Sequence, residues 1–201
     1  MTVTQGKRPA DGSEEAGRGE RTRALILEAS RKLFLQRGFA GTPVNAITEA
    51  CGISRAGFYT YFKDKEEIFA VLGESAYRDV MAVLKRLDSV PRPFTAEALR
   101  SWVGEYFAFL DRHGAFVLGA WHSSPEEEAF RRSRNRTVSR SAFRLGQAIA
   151  GPGDHSPEVV GIAVLGMLDR AWHAEKIQVV AVERDEVISA LADMILRLAN
   201  E

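Results

Sequence analysis

The sequence predicts an all-α protein in which a small N-terminal three-helix unit of helix-turn-helix type precedes a larger helical domain. Three observations lead there. Apolar residues recur at helical spacing along most of the chain beyond residue 20. Two short amphipathic segments meet at a Gly-containing turn between residues 42 and 62. The charge is also uneven: the 201 residues carry 27 basic and 27 acidic side chains, yet residues 21–65 hold eight Lys/Arg against three acids, whereas residues 66–201 hold 16 against 20. A basic segment on an acidic remainder directs one end of the molecule toward a polyanion.

Residues 1–20 are polar and Gly-rich, and are expected to form a disordered arm because they cannot bury enough to offset ordering entropy. The first helix is expected from about Arg21, with Ile26, Ala29, Leu33 and Phe34 on one stripe and Gly38 at its C-terminus. Thr42 is expected to cap a second helix with Pro43 in its first turn, Val44, Ile47 and Ala50 on its apolar face, and Gly52 at its end. Ser54 then caps a third helix, 55–62, and Asp64 a fourth, with Glu67 completing a capping-box pair. The fourth helix runs to about Leu87, where Ser89–Pro93 breaks it. Further helices are expected at 95–112, 115–122, 125–149, 157–175 and 183–199. Gln178–Val182 has strand-like composition but no evident pairing partner.

Several function classes find no footing. The single Cys51 excludes an internal disulfide, and it reads as a small buried hydrophobe rather than a redox sensor. The four histidines show no metal-ligand spacing, so no metal or cofactor is expected. No nucleophile elbow, phosphate loop or dinucleotide fingerprint is present, so the chain is not expected to be an enzyme. No signal peptide is read at the N-terminus, and the longest apolar run, Val159–Leu168, falls short of the roughly 18 residues a membrane span needs. A cytoplasmic location without a membrane partner is the expectation.

The stretch Thr42–Lys65 carries the chemistry. Phe58 and Phe62 stand four apart, so they share the face that packs inward. Ala56 and Thr60 then point outward, and Ala56 and Gly57 are small enough for close approach to a groove. Ser54 opens the helix at an end whose free N–H groups favour phosphate. Arg55, Tyr59, Tyr61, Lys63 and Lys65 surround that face with donors and cations. On periodicity alone, an ordinary helical hairpin with a solvated basic face fits as well as a DNA-binding one.

The strings ILEASRKLFLQRGF, GTPVNAI and GISRAGFYTYFKDKEEIF resemble the TetR/AcrR family of transcriptional regulators over residues 21–70. The GISRAGFYTYF and LGMLDRAW strings look most similar to its EthR-like branch. The resemblance implies a DNA-binding domain at 21–66 and a ligand-binding and dimerisation domain at 67–201. It implies that Ser54, Arg55, Ala56 and Tyr59 lie against phosphates or base edges, that Thr60 and Tyr61 reach into the groove or along its wall, and that Lys65 holds a phosphate. Thr42, Asn45, Gly57 and Lys63 complete the expected surface; Asn45 stands where relatives often have Arg, and Ala56 where many have Gly.

The family also implies a pocket for a small apolar or aromatic ligand. Its candidate lining is Trp102, Tyr106, Phe109, Phe116, Trp121 and Trp172, with Phe130 and Phe143 adding bulk and Asp169 and Arg170 orienting the ligand. A solid aromatic core, or an internal ion pair of Asp169 with Arg170, is the alternative. Arg132, Arg136, Arg140 and Arg144 repeat every four residues, which reads as a solvated stripe, with an anionic-ligand site as the other possibility. Val159–Leu168 is apolar nearly all round, and Val187, Leu191, Met194, Ile195 and Leu198 form a stripe on the last helix. These two helices from each copy are expected to build a homodimer. The implied partner is a palindromic double-stranded DNA operator, bound by a repressor that a ligand releases; a DNA-binding dimer without an effector is the alternative.

Overall fold

The computed structural model describes residues 11–122, 128–150, 155–177 and 181–200. Among them the chain forms α1 (Asp11–Arg37), α2 (Val44–Cys51), α3 (Arg55–Tyr59), α4 (Lys65–Arg86) with a 3-10 turn at Leu87–Ser89, α5 (Ala96–His122), α6 (Glu128–Ile149), α7 (Pro157–Lys176) and α8 (Arg184–Asn200), and no strand. The all-α expectation holds.

Helix α1 begins at Asp11, ten residues before the expected start at Arg21. Once the stripe nucleates a helix, each added residue contributes a hydrogen bond at little further cost, and Glu14, Glu15, Ala16 and Glu20 are good helix formers. Residues 11–20 of the expected arm are therefore helical; residues 1–10 lie outside the described residues. Gly38 ends the helix at φ +72°, a left-handed conformation that glycine adopts without strain.

Two apolar clusters organise the molecule. The smaller joins Ile26, Leu33, Phe34, Phe39, Ile47, Phe58 and Phe62 to Ile68, Phe69 and Leu72 of α4. The larger gathers Val80 and Leu84 of α4 with the buried faces of α5 to α8. One helix thus contributes consecutive turns to both cores. An α-helix rises about 1.5 Å per residue, so Leu72 of the smaller cluster and Val80 of the larger lie about 12 Å apart along α4.

Helix α5 is continuous where two helices are expected. His113-Gly114 reads as a break, but Gly114 serves packing: a Cβ there would sit 2.2 Å from Cη2 of Trp172. Helices α6 and α7 cross equally closely, since a Cβ on Gly161 would lie 1.7 Å from the carbonyl oxygen of Ala142. Residues 178–180 of the strand-like stretch lie outside the described residues.

Candidate nucleic-acid interface

Local sequence builds the recognition unit. Gly52 adopts φ +66° to end α2. Ser54 then accepts the Gly57 backbone N–H through Oγ at 3.0 Å, capping α3. Asp64 caps α4 by accepting the Glu67 N–H at 2.8 Å, while the Glu67 carboxylate accepts the Lys63 N–H at 2.7 Å. Phe58 is fully buried and Phe62 nearly so; they fix the inner side of α3 and the turn that follows it. Arg23 of α1 stacks over the Phe62 ring at 4.9 Å.

The opposite side is open. Asn45, Ser54, Arg55, Ala56, Thr60 and Lys63 are exposed, and Tyr59 is 46% exposed. Arg55 is held rather than free: its Nη1 donates to Asn45 Oδ1 at 2.8 Å and its Nη2 to the Tyr59 hydroxyl at 3.1 Å. This links α2 and α3 across the turn and orients a guanidinium on the outward face. Asn45 acts as a positioner of Arg55, a role invisible in its spacing. The Tyr59 ring meets Phe58 edge-on at 5.3 Å and lies under the Arg55 guanidinium at 5.6 Å, at the margin of the small core rather than inside it. The Thr60 hydroxyl donates to the Ala56 carbonyl at 3.3 Å, and both residues are exposed. Gly57 is half-buried; a side chain there would press to 3.3 Å of the capping Ser54 oxygen.

Three expected members of this surface are placed otherwise. Thr42 is fully buried and does not cap α2; Pro43 occupies the cap position without a side-chain bond. The Thr42 hydroxyl turns inward, 2.8 Å from the Gly38 carbonyl and 3.4 Å from that of Leu33, where it ties the α1–α2 turn to the end of α1. Lys65 is also diverted. Its ammonium donates to the Phe39 and Thr42 carbonyls at 2.9 and 3.4 Å and sits 4.3 Å above the Phe39 ring, so it staples α4 to the same turn. Tyr61 is half-buried against the small core and the N-terminal part of α1. Third helix and turn also differ: α3 ends at Tyr59, and Thr60–Phe62 follow as a tight turn with the Phe62 N–H bonded to the Phe58 carbonyl at 3.1 Å. Cys51 is half-buried with its thiol 3.8 Å from the Leu25 carbonyl, and burial pushes its pKa up, away from the reactive thiolate.

A contact that sequence reasoning missed joins the two cores. Arg31 Nη1 of α1 lies 2.9 Å from Nδ1 of the fully buried His113 of α5, and His113 Nε2 lies 2.7 Å from Asp79 Oδ2 of α4. A guanidinium only donates, so Nδ1 accepts, Nε2 carries the proton, and the imidazole is neutral. Burial lowers the His113 pKa and outweighs the hydrogen bond to Asp79. The four-residue helical spacing from Phe109 to His113 puts them on one face, and that is the only signal the sequence held for this link.

In the larger domain the expected pocket residues pack against one another. Trp102, Tyr106, Phe109 and Trp172 are at most 6% exposed, with Trp102–Tyr106 and Tyr106–Phe109 ring centroids 5.8 and 5.6 Å apart. Trp102 Nε1 donates to the Val83 carbonyl at 3.0 Å, and Trp172 Nε1 to Asp111 Oδ1 at 2.9 Å. Asp111 also binds Lys176 at 3.0 Å and Arg184 at 2.7 Å, joining α5, α7 and the start of α8; burial raises its pKa, but these bonds bring it below the usual value. Asp169 is paired with the Tyr106 hydroxyl at 2.9 Å, not with Arg170, which is exposed beside His173. Burial pushes the Asp169 carboxyl up to about 7 and the Tyr106 hydroxyl well above its ordinary range. Phe116 belongs to the smaller core, 4.6 Å from Phe69 and 6.4 Å from Phe34, so it docks the two domains. Phe143 is 41% exposed. The side chains of Trp121 and Phe130 lie outside the described residues. A surface concavity of about 300 Å³ opens elsewhere, between α4 and α6, lined by Tyr77, Arg136, Thr137 and Arg140.

A capped two-helix turn with an outward arginine, carried on a three-helix core and joined by one long helix to a larger helical domain, defines a helix-turn-helix DNA-binding protein. The family model described as bacterial regulatory proteins, tetR family, matches residues 26–72. The transcriptional repressor AcnR of Corynebacterium glutamicum is 33% identical over 155 residues, covering 72% of this chain and 75% of AcnR. The uncharacterized regulator YerO of Bacillus subtilis is 32% identical over 95 residues, 46% of this chain and 32% of YerO, so that likeness spans about a third of that relative. In fold, the chain is similar to the TetR family regulator PfmR of Thermus thermophilus, with a TM-score of 0.65 and 24% identity over 89% of this chain and 96% of PfmR. The chain belongs to the TetR family of DNA-binding transcriptional regulators. These similarities do not assign it to the EthR-like branch. Among the described residues no helix is long and apolar enough to cross a membrane.

Proposed function

We propose that the chain is a homodimeric repressor that reads a palindromic operator through the Arg55–Thr60 side of α3 and releases it when a small molecule binds the larger domain. The observation that carries this is the outward Arg55, fixed by Asn45 and Tyr59 above a fully buried Phe58. Fixing a guanidinium before DNA arrives lowers the ordering cost of binding. Arg55, Tyr59 and Lys63 supply phosphate or base-edge donors, and the small Ala56 lets the helix approach a groove.

Dimerisation is supported by apolar side chains left exposed on the last two helices: Val159 and Ile162 of α7, Met194 and Leu198 of α8. The core takes the other side of the same helices through Val164, Leu168, Leu191 and Ile195. Pairing these exposed sides about a twofold axis gives two recognition helices, which suit half-sites about 34 Å or a multiple apart.

The dense packing of Trp102, Tyr106, Phe109 and Trp172 gives no support to the expected apolar class of ligand. It supports a second reading, a DNA-binding dimer without an effector; under the first reading the ligand binds outside this core. Fluorescence anisotropy with duplex DNA from upstream of the chain's own coding region, together with light scattering, tests both halves. Saturable, salt-sensitive binding by a dimer is expected; a monomer, or affinity no better than for scrambled duplex, contradicts the proposal.

A further inference from the structure

Helix α6 differs from the rest of its domain. It carries six arginines, at 131, 132, 134, 136, 140 and 144, against the single Glu128, and no acid follows until Asp154. The whole stretch 66–201 is nevertheless acidic, with 16 cations against 20 carboxylates. The cationic surplus is therefore concentrated on one helix.

Within it, Arg136 and Arg140 stand one turn apart on the concavity against α4, where like charges repel. Arg144, the next in the row, is paired with Asp88. Arg136 and Arg140 form no ion pair with any carboxylate among the described residues, and both are exposed. The concavity of about 300 Å³ is also lined by Tyr77 and Thr137. Two planar guanidinium forks beside a tyrosine match a carboxylate or phosphate on a small organic body. The volume lies at the lower end of small-ligand sites.

We propose that this groove binds a small organic anion, held by Arg136 and Arg140 and walled by Tyr77, and that this anion is the effector. The assignment rests on the ligand-released repressor proposed above. Its place in the fold gives it leverage. Tyr77 lies on α4 between Leu72, which belongs to the DNA-binding core, and Val80, which belongs to the larger core. An anion bridging Tyr77 to α6 favours whichever tilt of α4 closes the groove. That preference, and nothing else, shifts the spacing of the recognition helices. Duplex DNA suits this surface less well, because a concavity of this volume admits a single anionic group but not a rod of phosphates.

The test uses the full chain with inorganic phosphate, benzoate and the uncharged isostere benzamide as probes. Isothermal titration should give saturable binding of at least one of the two anions and none of benzamide. Arg136→Gln/Arg140→Gln should weaken that binding tenfold or more. Phenylglyoxal modification read by peptide mass spectrometry should show Arg136 and Arg140 protected by the binding anion while Arg55 is not. Equal binding by the double variant, benzamide binding as well as benzoate, or no saturable anion binding at millimolar concentration overturns the proposal. Operator affinity without any anion separates this from the regulator reading. The double variant should keep wild-type affinity; a loss would make these arginines DNA contacts and also overturn the anion site. Failure of the wild-type chain to bind any operator while the anion still protects both arginines would refute the repressor and leave the binding site standing.

Discussion

The outward side of α3 and the region around Trp172 both combine tyrosine, arginine and hydrogen-bonding side chains, but they handle polar groups in opposite ways. On α3, Arg55 donates to both Asn45 and the Tyr59 hydroxyl, and Arg55 and Tyr59 remain in water, where their remaining donors are available. In the larger domain, the buried Tyr106 donates to Asp169, and the buried Trp172 donates to Asp111, which Lys176 and Arg184 also bind. The first arrangement preorganises a surface for a partner; the second fixes helix positions. A residue's type therefore says less about its role than whether its hydrogen-bonding capacity is used up internally.

Lys65 and Arg55 draw the same distinction within the DNA-binding unit. The comparison can be broken first at the helix crossing that supports the larger domain. Gly161→Ala should lower stability by about 2–4 kcal/mol, since the new methyl meets backbone that cannot swing away. Urea unfolding checks this; an unchanged midpoint would mean that α6 and α7 are not so closely packed.

Lys65→Ala should cost about 1–3 kcal/mol of stability, because two carbonyls lose a charged donor. Lys65→Arg should not restore it fully, since a planar fork fits the two carbonyls over the Phe39 ring poorly.

Asp169 gives a smaller effect that depends on pH. Its folded-state pKa of about 7 lies above the ordinary 3.8, so the folded chain holds a proton that the unfolded chain releases. The stability tied to this group is complete below about 4 and is lost as pH rises toward 7. Asp169→Asn keeps an acceptor for the Tyr106 hydroxyl and removes the charge. It should stabilise the protein at pH 8 by roughly 1–2 kcal/mol and leave it unchanged near pH 4. Thermal melts at the two pH values decide this.

His113 is lowered instead, chiefly by burial, with Arg31 and Arg112 adding to it against Asp79. Unfolded chains take up this proton first, near pH 6.5, so the associated stability is complete above that value and declines as pH falls toward the folded-state pKa. Protonation also places an Nδ1–H against the Arg31 donor and loosens α1 from α5. His113→Gln, which keeps an acceptor and a donor without titrating, should flatten this part of the pH profile of stability.

The legible parts of the molecule were those set by neighbours a few residues away. The caps at Ser54 and Asp64, the inward Phe58 and Phe62, the outward Ala56 and Thr60, and the C-terminal Gly38 all follow from three- and four-residue spacings. The misplaced residues were those whose partners lie far along the chain. Thr42 had the chemistry of a cap but found the Gly38 carbonyl, and Lys65 had that of a phosphate ligand but found the turn before α2. Gly114 looked like a helix break because its cause, the Trp172 ring, lies 58 residues away in sequence. The Arg31–His113–Asp79 link and the Tyr77 groove join separate helices, so no local pattern announced them.

The most direct measurement is operator affinity as a function of salt for the wild type, Arg55→Ala and Lys65→Ala. Arg55→Ala should weaken binding by about 1–3 kcal/mol and reduce the slope of log affinity against log salt by up to about one unit. Lys65→Ala, assayed where it remains folded, should leave that slope unchanged. A wild-type slope in Arg55→Ala, with a flattened one in Lys65→Ala, would contradict the assignment of Arg55 to the DNA and Lys65 to the fold.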